Sequence, residues 1–183
     1  TGYLSEPYFS PYHDDENYRG YPAITRDKLF EQVAALHKAG YQIAVHGNGD
    51  QSIEDILDAF EAAQKLHPVE DPRMLLIHAQ MARKDQVARM KQLGVTPSFF
   101  AAHTWYWGDR HREIFLGPQR AALISPAKWA LDQGVRFSSH LDTPVTPMLP
   151  LQAVWSQVFR MTSGGDLLGP GQRIGVMDAL RGV

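Results

Sequence analysis

Four short apolar runs alternate with amphipathic helical stripes along this chain, and that alternation leaves few folds open. The first run covers residues 41–45. It follows a stripe of Leu29, Phe30, Val33 and Leu36 that ends at Gly40, a residue suited to the left-handed turn after a helix. Ser52 with Asp55 reads as a capping-box-like start for a second stripe, Ile53, Ile56, Leu57 and Phe60. Pro68 and Pro72 punctuate the loop before the second run, residues 74–77. A helix over 83–93 closes at Gly94 before a third run over 95–100, which reads as a strand despite Pro97. A helix over 126–132 closes at Gly134 before the fourth run, 135–139. Leu151, Val154, Trp155, Val158 and Phe159 give one more helical stripe. Runs with so little polar alternation belong to strands buried on both faces, which means βα units and a parallel sheet. Four such units are half of a (β/α)8 barrel, a fold of about 250 residues. A flavodoxin-like open sheet is the rival that periodicity does not separate from it.

The rest of the chain sets boundaries around that core. Residues 1–24 are rich in Tyr, Pro, Asp and Gly without periodicity and read as an ordered loop or extended arm. Residues 25–183 read as the half-barrel, and the stretch HTWYWGDRHREIFLGPQR within it reads as a long loop. The 183 residues carry a formal net charge of −2 with Lys and Arg scattered, which gives no basic surface for nucleic acid. No apolar run reaches the roughly 18–20 residues that span a bilayer, so no membrane role is expected and a cytoplasmic location is favoured. The absence of cysteine excludes disulfides, thiolate catalysis and Cys-ligated metal. No GxGxxG or Walker-type loop follows any run, which weakens dinucleotide and P-loop readings. Both ends enter and leave in mid-pattern, so the chain is expected to be an excerpt of a longer polypeptide.

Chemistry concentrates where the runs end. His46 closes the first, His78 closes the second, and Asp142 lies just past the fourth. In a parallel barrel the C-terminal strand ends converge on the face that carries active sites. Imidazole nitrogen and carboxylate oxygen are the usual ligands of Zn2+ and similar divalent ions. A lone strand-end histidine is more often structural than a ligand, and an Asp before Thr-Pro is commonly a turn or capping residue. Spacing by itself therefore leaves a metal site and a structural role equally open.

The segments AVHGNGD, LLIHAQ, AAHTWYWGDRH with LGPQRA after it, and SSHLDTPV resemble the amidohydrolase superfamily. The nearest branch is the amidohydrolase 3 group, which includes N-substituted formamide deformylases and exoenzyme-regulator-like hydrolases. The opening TGYLSEPYFSPY with YRGYP resembles that group's stretch between the fourth and fifth barrel strands. The resemblance implies the C-terminal half of a TIM barrel, strands five to eight. It implies His46 and His78 as metal ligands, and Asp142 as both ligand and general base and acid. A divalent cation, Zn2+ in the first instance, would activate a water to cleave a carbon–nitrogen bond in a small amide, formamide or cyclic amide. His103, Trp105, Tyr106 and Trp107 would line the substrate pocket, with a packed aromatic loop as the equal alternative. His140 would support Asp142 from the outer shell of the site. Asp50 would orient ligands or cap the next helix, with capping favoured.

The chain departs from the family pattern in lacking the His-x-His pair of the first strand and the Lys or Glu ligand of the fourth. The excerpt alone is therefore expected to be inactive, with a partial metal site. A half-barrel also leaves open sheet edges, so self-association is expected. The alternative is a non-catalytic half-barrel that binds a ligand or another copy. A metal-free barrel acting on phosphorylated sugars is disfavoured, because no Gly-rich phosphate-binding turn follows the last strands.

Overall fold

The computed structural model describes residues 2–183; Thr1, the first residue of the expected arm, lies outside the described residues. The element order is α1 (Arg26–Lys38), β1 (Ala44–Gly47), α2 (Asp50–Leu66), β2 (Leu75–His78), α3 (Lys84–Leu93), β3 (Thr96–Phe99), α4 (His103–Arg110), α5 (Gly117–Ala121), α6 (Ala127–Asp132), β4 (Ser138–Ser139), α7 (Pro150–Phe159) and α8 (Val176–Arg181). The four strands form one sheet in chain order, and every pairing is parallel. Parallel neighbours need a crossover between them, and the helices supply it. The main core lies between the sheet and those helices. Val33, Ile53, Leu57, Phe60, Leu76, Val87, Met90 and Phe99 are all essentially out of solvent there. Each such side chain contributes roughly 1.5–3 kcal/mol on burial.

Local signals set most helix ends. Thr25 Oγ1 accepts from Lys28 N at the start of α1, Asp27 sits in its positive first turn, and Lys38 in its negative last turn. Gly94 adopts φ +67 after α3 and returns its N–H to Met90 and Lys91 carbonyls. The start of α2 differs from the expected capping box. The helix begins at Asp50 behind Gly49, and Ser52 lies inside its first turn. Asp55 faces α1 instead and takes a hydrogen bond of 2.6 Å from Arg26.

The stretch 103–120, expected as a loop, is helical. It runs as α4, a π-helical turn over His111–Phe115, and α5. The wider turn inserts a residue and breaks the 3.6-residue phase, so no single stripe spans the segment. Trp, Tyr and His are also only middling helix formers, and tertiary packing decides here. In α7 the expected stripe is divided. Val154 and Val158 reach the core, Leu151 and Phe159 are exposed, and buried Gln157 donates to Ser139 Oγ at 2.9 Å.

Residues 2–24 hold no helix or strand beyond an antiparallel bridge between Tyr12 and Asp15. They are nevertheless anchored. Phe9 and Ser10 donate to the carbonyls of Phe115 and Ile114, and Leu4 and Tyr8 pack with Leu116, Ala121 and Ile124. Gly49 lets the arm come close, since a Cβ there would lie 1.9 Å from the Tyr3 carbonyl oxygen. Arg160 is buried without a carboxylate and donates to the carbonyls of Leu168 and Ile124 at 2.8 and 2.9 Å, fixing two irregular segments together. No helix among the described residues is long and apolar enough to cross a membrane.

Candidate metal centre

Strand alternation aims the site. Register pairs His46 with Ile77, Ile77 with Ser98, and Ser98 with Ser138, so these four share the sheet face opposite the helix-packed Leu76. Ser138 Oγ donates to Ser98 Oγ at 3.0 Å, and Ser98 Oγ meets His140 Nδ1 at 3.0 Å. Strict alternation would send His78 to the helix side with Leu76. Its φ of +71, followed by +45 at Ala79, breaks the alternation. The ring instead stands 4.6 Å from that of His46 and 4.8 Å from that of His140, centroid to centroid. Asp142 is also left-handed, with φ +55. Backbone strain of this kind costs on the order of 1–3 kcal/mol per residue and persists where surrounding structure enforces it.

The result is a compact donor set. One ligand atom from each of His78, His140 and Asp142 lies within 4.8 Å of the others, a spacing that one divalent ion can bridge. Two of the imidazole nitrogens there are buried and without a hydrogen-bond partner among the described residues: His78 Nδ1 and His140 Nε2. Because Ser98 occupies His140 Nδ1, the free donor of that ring is Nε2. Burial, then the neighbouring His46 and His140, pushes His78 down to about 4, and burial lowers His140 as well. Both imidazoles are thus neutral at pH 7, the form that ligates metal. The donor chemistry and the orphaned nitrogens fit a divalent cation.

Each expected site residue has a definite place. His46 is exposed on the edge strand β1, beside His78 but outside the three-residue donor set. His140, expected in the outer shell, joins that set. Asp142 completes it. A cavity of about 290 Å3 opens over the cluster, and His46, His78, His103, Trp107, Arg110 and His111 help line it. His103 is buried, with its ring 5.6 Å from His78, and burial holds its pKa well below the ordinary histidine value. Trp105 and Tyr106 face elsewhere. Trp105 packs edge-on against Trp155 at 5.1 Å, and Tyr106 donates its hydroxyl to Gln152.

Asp50 stands apart from the histidines. It caps nothing through its side chain; it accepts from Ser5 N at 2.9 Å, from the Ser5 hydroxyl and from Arg83, tying the arm to α2. It lines a separate cavity of about 220 Å3 with Arg83, Arg120 and Trp129, which holds no histidine. Sequence reasoning missed Arg110, His111, Gln80, Asn48 and Ser98. Gln80 meets His111 Nε2 at 2.8 Å inside the site. The signal available for Arg110 and His111 is the GDRH segment, whose lack of a continuous apolar stripe reads as a loop.

Comparison with known proteins points to one family. The model of the amidohydrolase family matches residues 1–183. An N-substituted formamide deformylase of Arthrobacter pascens is 29% identical over 157 residues, covering 86% of this chain and 29% of that protein. The structure of a metal-dependent hydrolase from Pyrococcus horikoshii OT3 superposes with a TM-score of 0.81 at 26% identity, over 100% of this chain and 35% of that one. A metal-dependent hydrolase from Pyrococcus furiosus gives 0.77 at 26% identity, over 98% and 34%. The chain thus spans about a third of the length of each relative.

Proposed function

The chain belongs to the amidohydrolase family, and from that premise we propose that it is the C-terminal half of a (β/α)8 barrel enzyme that hydrolyses carbon–nitrogen bonds in small amides, formamides or cyclic amides with a divalent cation. In this reading β1 to β4 are barrel strands five to eight, residues 1–24 are the arm leading in, and residues 25–183 are the half-barrel. The observation that carries the proposal is the donor set of His78, His140 and Asp142 at the C-terminal strand ends, with two buried imidazole nitrogens unpartnered.

A divalent cation bound there would lower the pKa of water to about 7 and polarise a carbonyl oxygen. His78 Nδ1 and His140 Nε2 would hold it. Ser98 would fix the rotation of the His140 ring through Nδ1, the arrangement that raises ligand basicity when the partner accepts. His46 would reach the same centre from the edge strand, where the preceding barrel strands of the longer protein would bring the His-x-His pair and the fourth-strand ligand. The Asp142 carboxylate would take the proton of the attacking water and return it to the leaving nitrogen. Buried, neutral His103 and half-buried Trp107 would bound the substrate, and the apolar ring of Phe100 would form part of the wall. The isolated excerpt, lacking those other ligands, is inactive in this reading, and its open β1 edge favours self-association.

The test is metal analysis and turnover of an N-substituted formamide by the full-length protein. Loss of both on substituting His78 with Ala supports the assignment. Full turnover with stoichiometric metal in that variant overturns it.

A further inference from the structure

Building on that reading, we propose that Arg110 recognises an anionic group, a carboxylate in the first instance, on the substrate and so selects amides that carry one. Arg110 lies at the end of α4, is exposed, and lines the same 290 Å3 cavity as His78 and Asp142. No hydrogen bond or ion pair reaches its guanidinium among the described residues. This is unusual company for an arginine in this molecule. The carboxylates of Asp109, Glu113 and Asp166 are engaged elsewhere, pairing with Arg112 at 3.3, 3.0 and 2.8 Å. Asp109 also accepts from Gly164 N at 3.0 Å. The guanidinium therefore keeps an uncompensated charge at the cavity. What orients it is a ring: its central carbon lies 5.8 Å from the centroid of Phe115, which also lines the cavity. An aromatic face steadies a guanidinium without consuming its donors, which stay free for a planar carboxylate in a two-pronged contact.

The rest of the cavity lining makes that charge decisive. The lining histidines are imidazoles without a fixed charge, unlike a guanidinium, and Asp142 is committed to the cation in the proposed reaction. Arg110 is then the lining group that offers a persistent positive charge away from the cation. A cavity of this size suits a small substrate.

The experiment uses full-length protein and matched pairs: N-formylglycine against N-formylglycinamide for loss of the formyl group, and methanesulfonylglycine against methanesulfonylglycinamide, in which a hydrolysis-resistant sulfonamide replaces the formamide, for calorimetric binding. Wild type should prefer the carboxylate of each pair by at least about tenfold, and Arg110→Gln should bring both ratios close to one, through KM in the turnover pair. Arg110→Lys should keep part of the preference, since it keeps the charge and loses the fork. Equal ratios in wild type, or ratios unchanged by Arg110→Gln, overturn the proposal. If wild type hydrolyses neither formyl compound but binding preference is present and lost in Arg110→Gln, the hydrolytic reading fails and the role of Arg110 stands.

Discussion

Two polar regions lie on opposite sides of the same sheet and are built on opposite rules. On the outer helix α2, every charged side chain pairs with a charge of opposite sign. Arg89 spans Glu54, Asp58 and Glu61, Arg83 spans Asp50, Glu54 and Asp85, and Arg26 spans Asp55 and Asp58. At the strand ends the reverse holds. Among the described residues, His78, His103, His111 and His140 each keep one buried ring nitrogen without a hydrogen bond, and His78 and Asp142 hold left-handed backbones. A surface lattice that satisfies itself needs nothing further from its surroundings. Buried groups left unsatisfied cost about 1–3 kcal/mol each, a burden that a ligand relieves. The contrast separates polar residues that hold the fold from those available for chemistry.

Substitutions should divide along the same line. The largest effect is expected from Asp142→Asn in the full-length protein, where the proposed hydrolysis should lose about 10²–10⁴-fold in kcat while the thermal midpoint stays near wild type. Steady-state kinetics beside a melting curve checks both halves, and a normal kcat would remove Asp142 from the chemistry. Next comes pH. Burial holds His111 at about 4, below its ordinary value of 6.5. Between those values the unfolded chain binds more protons than the native one, so stability falls as pH drops from 6.5 toward 4. The change is on the order of 3 kcal/mol and is absent above pH 6.5. His111→Gln should flatten that slope in urea titrations. A slope unchanged by the substitution would place the sensitivity elsewhere.

Ser98→Ala tests the positioning of His140. Metal affinity should weaken by about 10–100-fold as the ring loses its Nδ1 partner, measured by competition with a chelator. Unaltered affinity would mean that the serine merely fills space. The smallest effect is expected on the outer lattice. Arg89→Ala should cost about 1 kcal/mol of stability and leave turnover and metal content alone. A large loss of activity there would erase the distinction between the two regions.

The sequence and the tertiary structure contributed differently to these regions. The alternation of stripes and apolar runs was enough to foresee a parallel sheet with helices between its strands. Strand ends were displaced by a few residues, as with β4, which spans only Ser138–Ser139 where five residues had been expected. The histidines and aspartate were visible because they close apolar runs. Their relative standing was not. His140 was placed behind Asp142 because the pattern treats neighbours two apart as one face, yet Ser98, 42 residues earlier, is what fixes its ring. Arg110 went unnoticed because a π-helical turn disguised its helix as a loop. Trp105 and Tyr106 were grouped with Trp107 by the family resemblance, and helical geometry turns Trp105 away onto Trp155 while Tyr106 and Trp107 pack against the Phe100 cluster.

Local sequence determined which segments become strands and helices and which titratable groups sit at their ends, because propensity, capping and apolar periodicity act over a few residues. Only the tertiary structure decided which of those groups share a centre, which are paired into silence and which are left open. Those outcomes depend on contacts between residues tens of positions apart. They depend also on backbone angles, such as the left-handed His78, that packing imposes against local preference.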